Sequence, residues 1–308
     1  MLLASKVFCR LCQKIEHRRY TLEAPKDAPN SRPLTLAFRL HSENPQTDHL
    51  STPILILHGV LGSKDNWRSM ANRMSAETGR RVYSLDARNH GESPHCSEHS
   101  PRLMAADLAE FVSQHGLKRV CAMGHCMGGK GMMKFSLHYP QMVERAIFVD
   151  ISMVEEPTMA KVVEEIFDVI STMQLPPNKS LREGRTLALR ELKLVMRNTP
   201  GADMIVKNLR KDSNTGEFYW VCNFPALRRN WAELANVHKT ITAKSPYQGP
   251  VLFIAGTHSK FFQTSHMAGI RQWFPQAKVQ WLKAGHLMHH EDPEGFLKLV
   301  LDFLNEDK

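Results

Sequence analysis

Short, uninterrupted apolar runs alternate along this chain with segments of helical periodicity, and this alternation restricts the possible folds more than any other feature. Ile54–Leu57 is apolar at every position, which is typical of a strand buried on both faces of a sheet. Further strands are predicted at Leu34–Leu40, Val82–Leu85, Val120–Gly124, Ala146–Val149, Val251–Ile254 and Val279–Leu282. Helices are predicted at Trp67–Met74, Leu103–Gln114, Lys130–His138, His266–Phe274 and Pro293–Glu306. This order predicts an α/β fold, with a mostly parallel sheet and helices on both of its faces.

The alternation stops between residues 152 and 235. That region contains helical patterns and one aromatic run, which are Val162–Met173, Leu181–Arg197, Met204–Leu209 and Phe218–Val221. We therefore predict a core formed by residues 30–151 and 236–308, with residues 152–235 inserted between its two parts as a helical cap.

The N-terminal segment carries much of the positive charge. The chain has 40 Lys and Arg residues against 31 Asp and Glu, a formal net charge of +9. Residues 1–20 hold five basic residues and one acidic residue, interleaved with apolar ones at helical spacing. Basic, acid-poor, amphipathic N-termini are typical of mitochondrial transit peptides, so we expect residues 1–25 to be one and the protein to be mitochondrial, in the matrix. The alternative is a basic arm or surface helix on a cytoplasmic protein. The remaining charge is modest and does not predict nucleic-acid binding.

Membrane-spanning and metal-binding classes find no support in the sequence. No stretch approaches the ~18–20 consecutive apolar residues that a spanning helix needs, so the chain is not expected to be integral to a membrane. Cys9 and Cys12 have zinc-like spacing but no second pair at metal spacing follows, and the six cysteines imply no disulfide framework. His286, His289 and His290 match no known metal motif, so we expect no metal and no cofactor. We expect His289 and His290 to line a polar rim or to be exposed.

The segment Gly124-His125-Cys126-Met127-Gly128 lies where a predicted strand meets a predicted helix. A G-x-S-x-G sequence in that position forms the sharp turn called the nucleophile elbow, in which Gly124 and Gly128 relieve crowding. Here the central residue is a cysteine. The N-terminus of a helix favours the thiolate, which is the reactive form of cysteine. Cys126 is therefore the candidate nucleophile, and a small buried cysteine on a tight turn is the alternative.

Two further positions complete a site for acyl chemistry. His58-Gly59-Val60 follows an earlier strand, so the amides of Val60 and Met127 are expected to form an oxyanion hole. His286 follows the last strand in a turn of small residues, where its imidazole can point toward the nucleophile and act as the base.

The acidic member of the site is found by exclusion. A common position for it is the turn after the penultimate strand, but residues 251–290 contain neither Asp nor Glu. Asp150 directly follows the strand next to the nucleophile strand, from which it can orient His286. An exposed residue at a strand end, or a helix N-cap, is the alternative for Asp150. Asp86 also ends a strand but is expected to build a polar turn beneath the site.

Together these segments resemble the α/β-hydrolase superfamily over nearly all of the chain beyond residue 30. The matching motifs are His58-Gly59-x-Leu61-Gly62-Ser63-x-x-Asn66-Trp67, Asp86-x-Arg88-Asn89-His90-Gly91-x-Ser93, Gly124-His125-x-Met127-Gly128-Gly129-Lys130, Val149-Asp150-Ile151-Ser152 and Ala284-Gly285-His286. In the group of mitochondrial hydrolases and bacterial esterases that these motifs resemble, the acid follows the strand after the nucleophile helix, which again selects Asp150. The resemblance implies hydrolysis of esters or lipids, with the cap shaping an acyl pocket. Those relatives have a serine where this chain has Cys126.

The sequence thus predicts a hydrolase of carboxylic esters, thioesters or lipids that uses Cys126, His286 and Asp150 on a small-molecule acyl substrate. Because the nucleophile departs from serine, a second reading is a binding or scaffold protein that has kept the fold. A third is an acyltransferase, in which the acceptor is not water.

Overall fold

The computed structural model describes residues 32–42, 51–153, 157–196, 200–235, 237 and 241–306. Seven strands form one sheet in the order β1-β3-β2-β4-β5-β8-β9. Their bounds are β1 Phe38–His41, β2 Ile54–Leu57, β3 Val82–Leu85, β4 Val120–His125, β5 Val143–Val149, β8 Val251–Gly256 and β9 Ala277–Leu282. Every neighbouring pair is parallel except β1 and β3, which are antiparallel. The predicted α/β fold with a mostly parallel sheet is confirmed.

Helices cover both faces of this sheet. Leu55 and Leu57 of β2 pack in one apolar cluster with the helices Pro101–Gln114 and Met127–His138. Ile54 and Ile56 pack in a second cluster with the helices Arg68–Thr78 and Pro293–Leu304. This division explains why β2 is apolar at every position. The helices of the core are α1 Arg68–Thr78, α2 Pro101–Gln114, α3 Met127–His138, α9 Met267–Trp273, α10 Met288–Glu291 and α11 Pro293–Leu304.

Between β5 and β8 lie the helices and the small hairpin of residues 157–235, called the cap below. Its elements are α4 Pro157–Thr172, α5 Leu181–Met196, α6 Pro200–Val206, β6 Leu209–Lys211, β7 Phe218–Trp220, α7 Phe224–Arg229 and α8 Trp231–Ala235. The cap has an apolar cluster of its own, centred on Phe167, Leu192 and Leu227. Leu61, from the loop after β2, packs in the same cluster and so joins the cap to the core.

Two predicted elements differ from the structure for identifiable reasons. The helix expected at Met204–Leu209 ends at Val206, because the next two amides bond to carbonyls three residues back and Leu209 then pairs with Trp220 in the hairpin. The strand expected at Leu34–Leu40 begins only at Phe38. The Leu34 amide donates to the side chain of Asp107 and not to a neighbouring strand, so pairing with β3 starts only at Phe38.

The proposed transit segment, residues 1–25, and the Cys9–Cys12 pair lie outside the described residues. Across the ranges that the structure covers, none of the helices combines the length and the apolar character that crossing a bilayer requires.

A buried ion pair fixes the turn after β3, and we expect its disruption to destabilise the protein. Arg88 donates through two nitrogens to the Asp107 carboxylate at 2.7 Å each, and both side chains are almost fully buried. Asp107→Asn leaves the buried guanidinium uncompensated, which should lower the free energy of unfolding by about 3–5 kcal/mol in urea titrations. The exposed pair of Arg73 and Glu294 provides the control, since Glu294→Gln should leave the unfolding midpoint unchanged. Equal midpoints for both variants would contradict this account.

Candidate active site

Cys126 occupies a strained turn between β4 and α3. The last residue of β4 is His125, and α3 begins at Met127, so Cys126 is the only residue between strand and helix. Its φ is 51°, a backbone conformation that residues other than glycine rarely adopt. Such strain persists only where the surroundings enforce it, and it is concentrated at functional sites. The turn places the sulfur at the N-terminus of α3, in the position that the sequence predicts for a nucleophile.

The two predicted elbow glycines are required by close backbone approach. A Cβ on Gly124 would lie 2.5 Å from the Gly128 carbonyl oxygen, and a Cβ on Gly128 would lie 2.4 Å from the Leu57 carbonyl oxygen. Both clashes involve backbone atoms, which cannot move aside without displacing β2 or α3.

Substitution of Gly128 should therefore distort the turn. Gly128→Ala is expected to lower the free energy of unfolding by about 1–3 kcal/mol and to reduce turnover, because the added methyl pushes α3 away from β2. Gly269→Ala is the matched control, since a Cβ there meets no atom within 4 Å. In helix α9 the alanine should stabilise the protein by up to about 1 kcal/mol. Chemical denaturation of both variants tests the pair of expectations, and an unchanged Gly128→Ala variant would contradict them.

His286 and Asp150 meet at the carboxyl ends of the strands. The Nδ1–H of His286 donates to Asp150 Oδ2 at 2.6 Å. Asp150 follows β5 directly, has a φ of 47°, and is completely buried. The Gly256 amide donates to its other oxygen at 3.1 Å. The structure thus brings together the acid and the base that the sequence predicts, and it shows Asp150 buried, so the alternative of an exposed strand-end residue is wrong.

Ser259 is a member of this site that the sequence reasoning missed. Its hydroxyl donates to Asp150 Oδ2 at 2.5 Å, from the turn after β8. This turn follows the penultimate strand of the chain and contains neither Asp nor Glu. The serine in this turn could have been identified from the sequence, because a buried carboxylate such as that of Asp150 needs several hydrogen-bond donors.

The thiol of Cys126 and the imidazole of His286 form an electrostatic couple. Burial raises the pKa of the thiol, but the charge of His286 and a hydrogen bond from it outweigh that effect and bring the pKa below its ordinary value. Burial likewise lowers the pKa of His286, and the Cys126 thiolate together with the bond to Asp150 more than reverses this. The arrangement therefore favours a thiolate paired with an imidazolium.

The two amides predicted to form an oxyanion hole lie beside Cys126. The Met127 amide acts on the Cys126 thiol and contributes to lowering its pKa. A Cβ on Gly59 would lie 3.2 Å from the Cys126 Cβ, so the loop that carries Val60 passes directly next to Cys126. In the part of the chain that the structure describes, the Val60 amide has no acceptor. The role of these two N–H groups in holding a developing negative charge stays a prediction.

Two neutral histidines make hydrogen bonds to the loop that carries Val60. His58 Nδ1 donates to the Gly59 carbonyl at 2.7 Å, and its Nε2 accepts from the Ala87 amide. His90 Nε2 accepts from the Leu61 amide at 3.2 Å. Complete burial lowers the pKa of both rings, which keeps an acceptor nitrogen available on each. The predicted polar turn from Asp86 to Gly91 thus contributes His90 to the loop.

The remaining histidines near the site have structural contacts. His289 is buried and stacks on Trp67 with ring centroids 4.1 Å apart, so the expectation of a polar rim or an exposed position is wrong for this residue. Its neighbour His290 is exposed. Within the described ranges, no group of three or more His, Cys, Asp or Glu side chains is arranged to hold a metal ion.

Comparison with known proteins agrees with this architecture. A family model described as the alpha/beta hydrolase fold matches residues 52–293. The chain belongs to the α/β-hydrolase family. This α/β-hydrolase is 35% identical to the mouse sn-1-specific diacylglycerol lipase ABHD11 over 89% of the chain and 86% of that protein. It is 26% identical to ethanol acetyltransferase 1 of Wickerhamomyces anomalus over 92% of the chain and 77% of that protein.

Among solved structures, a marine microorganism esterase superposes on this α/β-hydrolase with a TM-score of 0.77 and 31% identity. The match covers 88% of the chain and 99% of the esterase. Family membership and these relatives make the protein a hydrolase that acts on ester bonds, the class of enzyme that the sequence predicts.

Proposed function

We propose that this α/β-hydrolase cleaves carboxylic esters or thioesters with Cys126 as nucleophile, His286 as acid and base, and Asp150 as the orienting carboxylate. One observation carries the proposal: His286 is hydrogen-bonded to Asp150 at 2.6 Å, and the same imidazole interacts with the Cys126 thiol, so that each shifts the pKa of the other. A nucleophile and a base in contact, with the base held by a third group, is the arrangement that activates a side chain for acyl transfer.

The reaction begins from the thiolate–imidazolium pair. The Cys126 sulfur attacks the carbonyl carbon, a C–S bond forms, and the amides of Val60 and Met127 stabilise the negative charge on the oxygen. The bond to the leaving group then breaks, and His286 gives its proton to the departing alkoxide or thiolate. The product of this step is an acyl thioester on Cys126.

Deacylation uses the same groups in the reverse roles. Neutral His286, still held by Asp150, takes a proton from water as the water attacks the thioester. The tetrahedral intermediate collapses by breaking the C–S bond, which releases the carboxylic acid and restores the thiolate beside the protonated imidazole.

The cap is the proposed source of the acyl pocket. Leu61, one residue beyond the oxyanion amide of Val60, packs in the apolar cluster of the cap. Asn208 of the cap also donates to the Leu61 carbonyl. An acyl chain leaving the site on this side meets apolar cap residues, which favours ester substrates with apolar acyl groups, such as lipids. The lipase name of the mouse relative supports the same class.

Acyl transfer to an alcohol is the second candidate. It is favoured by the similarity to alcohol-acetylating relatives and by the thioester intermediate, which an alcohol can attack as well as water. A purely binding role accounts less well for the contacts among Cys126, His286 and Asp150, because binding alone needs no hydrogen-bonded nucleophile and base.

A substrate panel on the purified protein tests these roles. p-Nitrophenyl esters and acyl thioesters of graded chain length are offered with and without added alcohol, and products are separated as acids and new esters. Acid quenching followed by peptide mass spectrometry should find the acyl group on Cys126. Turnover with no adduct there, or an adduct on another residue, would overturn the assignment of the nucleophile. New ester formed in preference to free acid would select the transferase.

We also propose that residues 1–25 direct the protein to mitochondria. The basic, acid-poor composition of this segment supports import. A fluorescent fusion of the full chain should co-localise with a matrix marker, and a fusion lacking residues 1–25 should remain in the cytoplasm. Identical distributions of the two fusions would contradict this.

A further inference from the structure

One face of the His286 ring is covered by an aromatic side chain that the mechanism above does not use. The rings of Phe261 and His286 stack with centroids 3.9 Å apart and an interplanar angle of 23°. Phe261 is half-buried, whereas 27% of the His286 side chain remains exposed. The contact is the shortest centroid distance between two rings in the described part of the molecule.

The position of Phe261 is fixed by the same turn that holds the acid. The Phe261 amide donates to Ser259 Oγ at 3.2 Å, and that hydroxyl donates in turn to Asp150. The turn after β8 therefore fixes the carboxylate that orients His286 and the ring that covers it. This coupling makes the stacking a built feature of the site instead of a chance contact of a mobile side chain.

We propose that Phe261 is a positioning residue that stabilises the protonated form of His286 through the negative face of its ring, and thereby maintains Cys126 as a thiolate. A cation within about 6 Å of an aromatic centroid is attracted by the ring quadrupole, and the imidazolium lies well inside that limit.

Stabilisation of the imidazolium has a consequence in this chain because the proposed nucleophile is a cysteine. An active site with serine rests with a neutral histidine, because an alcohol does not ionise near neutral pH. A site with cysteine rests as thiolate and imidazolium, so any group that stabilises the cation also stabilises the reactive sulfur. The proposal depends on the proposed function only through the pairing of Cys126 with His286.

Other charged and titratable groups face this pair from several elements. On β4 and α3, the ring of His125 lies 4.5 Å from that of His286, and the charge of Lys130 acts on the thiol. Directly after β5, Asp150 bonds to His286, and His289 interacts with His286 from α10. Burial lowers the pKa of both His125 and His289, so both are neutral at pH 7. Lys130 and Asp150 act on the charge of the pair, and Phe261 adds an uncharged contact of defined geometry.

Graded fluorination of Phe261 isolates the electrostatic part of this contact. Mono-, di- and trifluorophenylalanine, introduced at position 261 by nonsense suppression, keep the shape of the ring while progressively weakening its negative face. The readout is the rate of Cys126 alkylation by iodoacetamide between pH 4 and pH 10, located by peptide mass spectrometry. No substrate is needed, so a protein without hydrolase activity would still report on Phe261.

Each fluorine should move the alkylation profile to higher pH. From the ordinary strength of a cation–π contact, the trifluoro ring should slow alkylation at pH 6 by about three- to tenfold. Phe261→Leu should slow alkylation of Cys126 to a similar extent, whereas Phe261→Trp, which keeps an aromatic face, should be alkylated at the native rate. Phe262 is the matched control, because it is buried next to Phe261 and contacts Phe253 and Trp281 instead of His286.

Three results would overturn the proposal. The first is a profile that fluorination leaves unchanged, and the second is faster alkylation with each fluorine, which would indicate stacking on a neutral imidazole. The third is a native thiol that reacts only at the pH of an ordinary cysteine, since no ion pair would then exist. If the profile responds as expected while the substrate panel gives no turnover, the proposed function fails and the role of Phe261 stands.

Discussion

Replacing Cys126 with alanine is expected to abolish acyl turnover while leaving the fold intact. The variant keeps His286, Asp150 and both oxyanion amides but has no atom that can attack the carbonyl. By analogy with other hydrolytic triads, kcat should fall by about 10⁴- to 10⁶-fold. The initial rate of p-nitrophenyl ester hydrolysis measures this effect. Cys126 is buried, and alanine is smaller than cysteine, so the substitution introduces no clash.

Cys121 provides the control for this substitution. It lies on the same strand, β4, and is completely buried, and burial raises the pKa of its thiol to about 12. Cys121→Ala should therefore retain wild-type turnover, allowing for a modest loss of stability. Equal turnover by Cys126→Ala and the wild type would show that the nucleophile lies elsewhere.

Replacing Cys126 with serine tests whether the native protein rests as a thiolate–imidazolium pair. Cysteine is active as thiolate and imidazolium, so the acidic limb of its pH–rate profile follows loss of the thiol proton. In Cys126→Ser, His286 must first lose its own proton to act as a base. The acidic limb of the serine variant should therefore lie at higher pH than that of the native protein. Coincident acidic limbs would contradict the ion-pair description.

Asp150→Asn is expected to have the second-largest effect on activity. An amide of the same size can present its NH₂ group to His286 Nδ1 and stabilise the wrong tautomer, as in other triads where this change lowers kcat about 10⁴-fold. Burial lowers the pKa of His286, but the contacts with Cys126 and Asp150 outweigh that effect and raise the pKa to about 10. Loss of the carboxylate removes one of the raising causes, so the alkaline limb of the pH–rate profile should move to lower pH.

The measurement is kcat against pH for the native protein and the Asp150→Asn variant. Asp302→Asn, an exposed change in α11, is the control and should not alter the profile. Thermal unfolding of each variant separates loss of chemistry from loss of fold, because Asp150 is buried and accepts three hydrogen bonds. An unchanged alkaline limb together with wild-type kcat would remove Asp150 from the mechanism.

The strands and the residues at their ends were readable from the sequence for a physical reason. A strand buried on both faces must be apolar at every position, as in Ile54–Leu57, and the carboxyl ends of parallel strands lie along one edge. Cys126, Asp150 and His286 could therefore be brought together from their places along the chain alone. The absence of carboxylates in residues 251–290 made the choice of Asp150 sharper.

The contacts around these residues were not readable, because they depend on irregular backbone. Ser259 and Phe261 lie in an aperiodic turn, where neither residue type nor spacing indicates which way a side chain points. His289 was misjudged for a similar reason. A histidine in a polar hexamer suggests exposure, and only the packing of α10 against Trp67 buries it.

Cys126 and Asp150 are both held by the sheet, and this determines which of the three proposed catalytic side chains can change its orientation. The Cys126 amide bonds to the Val149 carbonyl, and the Asp150 amide bonds to the Ile254 carbonyl, so both side chains extend from the hydrogen-bonded ladder of the sheet. His286 alone comes from a loop beyond the last strand. Two members of the site thus form a fixed frame of reference, and errors in catalytic geometry reduce to the orientation of one imidazole ring.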